Sequence, residues 1–138
     1  MNTEYLNIIN QYLKNNRIIK FAYLFGSCAR GEDGLLSDID LAVYLDKRFD
    51  HFSIRLRFLD ELSRLLKGDL CDLVVLNSAP LTLQYEVIRD GIILKENKKR
   101  RIPFETGIIR EYLDTEPIRA IHRQKLKERF LKGHSLGK

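Results

Sequence analysis

Asp38 and Asp40 stand one residue apart, where a polar run gives way to the apolar stretch IDLAVYL of residues 39–45. On a strand, side chains two apart point to the same side. Their Cα atoms then lie only ~6.5–7 Å apart. Two ionised carboxylates that close repel one another unless a cation sits between them. Hard oxygen donors in this arrangement suit Mg²⁺, which takes one or two carboxylates and completes its shell with water and phosphate oxygens. The pair also fits a solvated strand start, and D-x-D alone does not decide between the two.

The context supplies more chemistry. Gly26 and Ser27 end an earlier apolar run, IKFAYLF, ten residues ahead of Asp38. Glycine permits a tight turn there. Ser27 offers a hydroxyl and a backbone N–H at the expected start of a helix, a natural anion site. The spacing from Gly26 to Gly31 matches a P-loop, but Glu32 and Asp33 occupy the positions where Lys and Ser/Thr would be required. The phosphates would therefore be held by Gly26-Ser27 and by metals. Asp72 interrupts the apolar run LCDLVVL of residues 70–76. A carboxylate in a central strand is costly unless paired or metal-bound, and this run is dense enough to be central. If its strand neighbours that of Asp40, three carboxylates converge and can hold two Mg²⁺ ions, as in phosphoryl or nucleotidyl transfer. The alternative is a wet position at the strand end. Arg30 faces either the phosphates or its acidic neighbours Glu32 and Asp33. Ser37 reads as a cap for Asp38, and Cys28 and Cys71 as packing residues.

These residues need a scaffold of short elements. A helix with Leu6, Ile9, Tyr12 and Leu13 on one face precedes the strand 19–25. The strand 39–45 follows the turn. Phe52, Leu56, Leu59, Leu62, Leu65 and Leu66 predict a helix over 52–67, closed by Gly68. After the strand 70–76, Pro80 opens a helix that Asp90-Gly91 closes. Residues 92–96 read as a short edge strand. From about Pro103 to Lys132 the pattern is helical, with a break at Pro117. Tyr85 and Tyr112 read as core. The expected fold class is α/β (α+β), a small mixed sheet flanked by helices, with C-terminal helices.

Of the 138 residues, 44% are hydrophobic and 31% charged, the composition of a soluble single domain. No apolar run reaches the ~20 residues that span a bilayer. No secretory leader is visible, and two isolated cysteines read as reduced thiols, so a cytoplasmic location is expected. Residues 97–138 hold 12 Lys+Arg against 5 Asp+Glu, whereas residues 1–96 hold 12 against 14. The chain thus divides into a core of about residues 1–96 and a basic helical tail of about 97–138, which is either a solvated face or a surface for an acidic partner.

The run GSCARGEDGLLSDIDLAVYL, with Asp72 and then LQYEVIRDGIILKE, resembles the minimal nucleotidyltransferases (MNT or MntA-type antitoxins) of the DNA polymerase β-like nucleotidyltransferase superfamily. FETGIIREYLD and LKERFLKG are similar to that family's C-terminal helices, so the resemblance covers most of the chain. It implies a polymerase β-like fold and Mg²⁺-dependent transfer of AMP from ATP to a tyrosine of a HEPN-type (HepT-like) ribonuclease toxin, the hetero-oligomeric partner. It further implies that Gly26 and Ser27, with Arg30, hold the triphosphate. Asp38, Asp40 and Asp72 would be the metal-binding, catalytic carboxylates. Direct nucleic-acid binding is not expected. The competing expectations are a non-catalytic antitoxin acting by stoichiometric binding, and nucleotidyl transfer to a small molecule or RNA.

Overall fold

The computed structural model describes residues 3–26, 39–68 and 71–136. Its elements are α1 (Thr3–Asn15), β1 (Ile19–Phe25), β2 (Ile39–Leu45), α2 (His51–Leu65), β3 (Cys71–Val75), a single 3₁₀ turn (Leu76–Ser78), α3 (Leu81–Asp90), β4 (Ile92–Lys95), α4 (Lys98–Asp114) and α5 (Glu116–Leu136). This is the expected order of elements. The strands form one mixed sheet in the order β3-β2-β1-β4. β1 runs antiparallel to β2 and β4, and β2 runs parallel to β3 through the α2 crossover.

Both faces of the sheet are covered, which is why β1 and β2 read as nearly unbroken apolar runs. One face carries Ala22, Leu24, Ile39, Leu41, Val43, Leu45, Leu73 and Val75 against α1 and α2. The other carries Phe21, Tyr23, Ala42 and Tyr44 against Leu76, Val87 of α3 and Phe104 of α4. Phe21 stacks on Tyr44 with ring centres 4.7 Å apart, and Phe104 tilts over both. Alternation along β2 therefore places Asp40 on the same face as Ala42 and Tyr44, the side of α3 and α4.

Several sequence expectations need correction. β3 is an edge strand, not a central one. Its apolar character comes from packing on its faces, with Leu73 and Val75 buried on the side of α1 and α2 and Val74 partly buried on the other, and not from having a neighbour on each side. The core face of α2 is Ile54, Phe58 and Leu62, followed by Leu66, at a spacing of four. Phe52, Leu56 and Leu65 of the expected stripe are exposed. α4 begins at Lys98, not near Pro103, because the Asn97 side chain accepts the Arg100 N–H and caps the helix. Pro103 lies inside that helix and withholds one N–H from its ladder. The break expected at Pro117 falls at Thr115, and Pro117 sits in the first turn of α5. Tyr85 and Tyr112 are half-buried, not core. Their rings stack at 3.7 Å, and the Arg119 guanidinium lies 3.6 Å from the Tyr112 ring centre. This stack joins α3, α4 and the start of α5.

A polar relay locks α4 onto β1. The Tyr23 hydroxyl donates to Glu105 Oε1 at 2.6 Å, and burial, reinforced by Glu105, pushes the phenol far above its usual pKa. Arg101 donates to Glu105 Oε2 at 2.9 Å and to Glu96 at 2.7 and 3.0 Å, with only 14% of its side chain exposed. Arg101 is thus part of the fold and not of a free basic face. Arg101→Ala leaves the partly buried Glu105 carboxylate beside the Tyr23 phenol without its counter-charge, so a loss of about 1–3 kcal/mol is expected, read from the urea midpoint.

Candidate functional site

The candidate site forms where β1 ends and β2 begins. Phe25 pairs with Asp40 across the antiparallel ladder, and Gly26 follows at φ +75°. That backbone conformation favours glycine. Space makes the same demand, because a Cβ at Gly26 would lie 2.3 Å from Asp40 Oδ2 and 3.1 Å from its Cγ. The turn after β1 therefore presses directly on the Asp40 carboxylate.

β3 supplies the second carboxylate. In the parallel ladder Asp40 pairs with Asp72, one strand spacing away, or ~4.8 Å. Asp72 alternates with Leu73 and shares a face with Val74, which packs on the α3 side. The two carboxylates therefore sit in register on one face. Asp72 is more than half exposed, because β3 is an edge strand. The wet-end alternative is thus correct about its hydration, while its register with Asp40 is what convergence required.

Asp72 is also held. Its Oδ1 accepts the Leu73 backbone N–H at 2.8 Å and the Arg55 Nη2 at 3.1 Å. Arg55 Nε donates to the Leu73 carbonyl at 2.7 Å. Arg55 escaped sequence reasoning because it belongs to no motif. It lies 17 residues before Asp72, and the only signal was a cation on the helix that crosses to β3.

Among the described residues, the structure brings together Gly26, Asp40 and Asp72 of the expected set. Ser27, Arg30 and Asp38, with Ser37 and Cys28, lie outside the described residues. No group of three His, Cys, Asp or Glu side chains converges among the described residues. The pair that does converge is a hard-oxygen donor set of the kind Mg²⁺ takes, and it lies beside a turn whose missing Cβ leaves room for a carboxylate. Cys71 is half-buried against the main core, as a packing cysteine.

The polymerase beta nucleotidyltransferase family model matches residues 7–100. The chain belongs to that family. This minimal nucleotidyltransferase is also similar to chains of solved toxin–antitoxin complexes. One is a toxin–antitoxin with AMP-PNP, at 27% identity and TM-score 0.75, covering 91% of this chain and 99% of that one. A second is an MntA–toxin complex in which two aspartates, two positions apart, are changed to glutamate. It shows 27% identity and TM-score 0.76 over 88% of this chain and 98% of that one. A third is the tri-AMPylated Shewanella oneidensis HEPN toxin in complex with an MNT antitoxin, at 26% identity and TM-score 0.72, covering 92% and 99%. A comparison with curated proteins gave no match. No helix among the described residues is long and apolar enough to cross a membrane.

Gly26→Ala tests the geometry of this candidate site. The left-handed backbone costs a non-glycine residue about 1–2 kcal/mol, and the new methyl must turn the Asp40 carboxylate aside. A small drop in Tm with a much larger loss of nucleotidyl transfer is expected. Full transfer by the folded variant would separate Gly26 from the site.

Proposed function

We propose that this nucleotidyltransferase is a protein adenylyltransferase antitoxin, moving AMP from ATP to a tyrosine of a cognate HEPN-type ribonuclease toxin and so neutralising it. The observation that carries this reading is the registered Asp40–Asp72 pair beside the Gly26 turn. It occurs in a chain that covers nearly the whole length of an MNT antitoxin bound to an AMPylated toxin. ATP as donor is supported by the AMP-PNP complex of a related chain.

On this reading Gly26 and Ser27 receive the triphosphate at the turn, with Arg30 beside it. Asp38, Asp40 and Asp72 would hold Mg²⁺, two ions for three carboxylates. When bound, such ions neutralise the leaving pyrophosphate and lower the pKa of the attacking hydroxyl. The tyrosine oxygen forms a bond to the α-phosphorus as the bond from the α-phosphorus to the β-bridging oxygen breaks. Pyrophosphate departs, and Asp72 accepts the phenol proton. The chain acts as one domain in the cytoplasm, with residues up to about 96 as the catalytic core and the basic tail outside it. In α5, Ile118, Ile121, Leu126, Phe130 and Leu131 are exposed among lysines and arginines. A helix so poorly covered suits a protein partner and supports a toxin-bearing hetero-oligomer. It equally suits a stoichiometric binder, so the decisive readout is a covalent one.

The experiment is intact-mass spectrometry of the toxin incubated with ATP, Mg²⁺ and this protein. A gain of one or more AMP units is expected, lost with Asp38→Asn or Asp40→Asn while each variant keeps its circular dichroism and melting profile. A tight complex without mass gain would replace this proposal with neutralisation by binding.

A further inference from the structure

Arg55 pairs with a candidate carboxylate, Asp72, and the proposed chemistry gives it no task. It stands on α2, on the opposite side of the sheet from Asp72, and reaches round the open edge of β3. There it is anchored twice, by Nε on the Leu73 carbonyl at 2.7 Å and by Nη2 on Asp72 Oδ1 at 3.1 Å. The Leu73 N–H falls on the same oxygen. Among the described residues, the two hydrogen bonds to this carboxylate therefore converge on Oδ1, and Oδ2 takes neither.

Stability does not account for the arrangement. The Arg55 and Asp72 side chains are 36% and 55% exposed, and an ion pair so open contributes little to stability. Its distinctive product is orientation. A planar guanidinium fixed to a backbone carbonyl has little freedom left, so it hands that rigidity to Asp72. Arg55 also lines a groove of about 280 Å³ with His51, Phe52, Leu73, Pro80 and Leu83, while Asp72 lies outside it.

We propose that Arg55 is a positioning residue for the acceptor half of the transfer. It holds Asp72 by Oδ1 so that Oδ2 is the oxygen turned to the reaction, toward the metal Asp72 would hold and the attacking hydroxyl. The inference rests on the role given to Asp72 above.

The test compares Arg55→Leu and Arg55→Lys, each alone and combined with Asp72→Asn, in the full chain. Readouts are kcat and KM for AMP transfer to the toxin, AMP-PNP affinity by calorimetry, and Tm. A fall in kcat of about 10- to 100-fold is expected for Arg55→Leu, at or below the lower end of a general-base effect because Asp72 itself remains. AMP-PNP affinity should hold. Arg55→Lys should recover only part, because an ammonium lacks the two-point geometry. In the Asp72→Asn background Arg55→Leu should add no further loss, the signature of residues acting as one unit. Losses that multiply, or a lowered Tm with kcat near wild type, would make Arg55 a mere cap on the strand edge. If Asp72→Asn transfers at the wild-type rate, the role of Asp72 fails and the positioning role falls with it. If Asp72→Asn is impaired but Arg55→Leu is not, only the positioning role is overturned. Failure of the adenylylation reading shows in the wild-type arm and removes the acceptor role of Arg55 with it.

Discussion

The contact on which the site depends is between the backbone of Gly26 and the carboxylate of Asp40. No side chain fits between them, so the turn that leaves β1 is held against the first charged residue of β2. The antiparallel pairing of Phe25 with Asp40 sets that closeness, and the parallel pairing of Asp40 with Asp72 extends it to a third strand. A slip of one residue in either ladder would send a carboxylate to the face packed by α1 and α2. Register is secured there by Ile39, Leu41, Val43 and Leu45, all buried on that face. The hydrophobic core therefore fixes the chemistry by fixing which side each aspartate takes.

The same geometry handles the energetic problem of clustered charge. Among the described residues no polar or charged side chain is fully buried. The carboxylates lie at the ends of strands whose middles are dry, which keeps them close together without the desolvation penalty of a buried ion. β3 at the edge of the sheet, not at its centre, is what leaves Asp72 hydrated. The edge position also exposes the Leu73 carbonyl, and Arg55 covers it. Protection of a strand edge and restraint of a carboxylate are thus carried by one side chain.

Much of this was legible in the residues. The turn at Gly26 and the strands on either side follow from local pattern and from the parity of a strand, whereas the register of Asp40 with Asp72 depends on which strands pair and was only a condition in the sequence. The edge position of β3 was not legible, because a strand covered on both faces reads the same at the edge as at the centre. The stripe on α2 was misread because Phe52, Leu56 and Leu65 are apolar yet exposed, and composition cannot separate them from Ile54, Phe58 and Leu62. The start of α4 was hidden by Pro103, which looks like a first-turn proline although Asn97 caps the helix earlier. Arg55 left no local trace, since its contact exists only once α2 crosses the sheet. The placements of Ser27, Arg30 and Asp38 remain assignments from sequence.

The tail obeys different physics from the core. None of the described side chains of α5 is buried, and an isolated helix gains little from its own hydrogen bonds in water. What holds α5 is its first turn, where Arg119 donates to Thr115 and to the Tyr112 carbonyl and lies over the Tyr112 ring. Tyr112 is in turn stacked on Tyr85 of α3, an element that also packs the face carrying Asp40. The direction in which α5 leaves the body is therefore referenced to the same sheet face as the carboxylates. On the antitoxin reading this has a mechanical consequence. A toxin held along α5 would be presented to the site by a junction of stacked rings and a guanidinium, not by a flexible linker. Binding and chemistry then occupy separate parts of the chain, and the orientation between them is set by Tyr85, Tyr112 and Arg119.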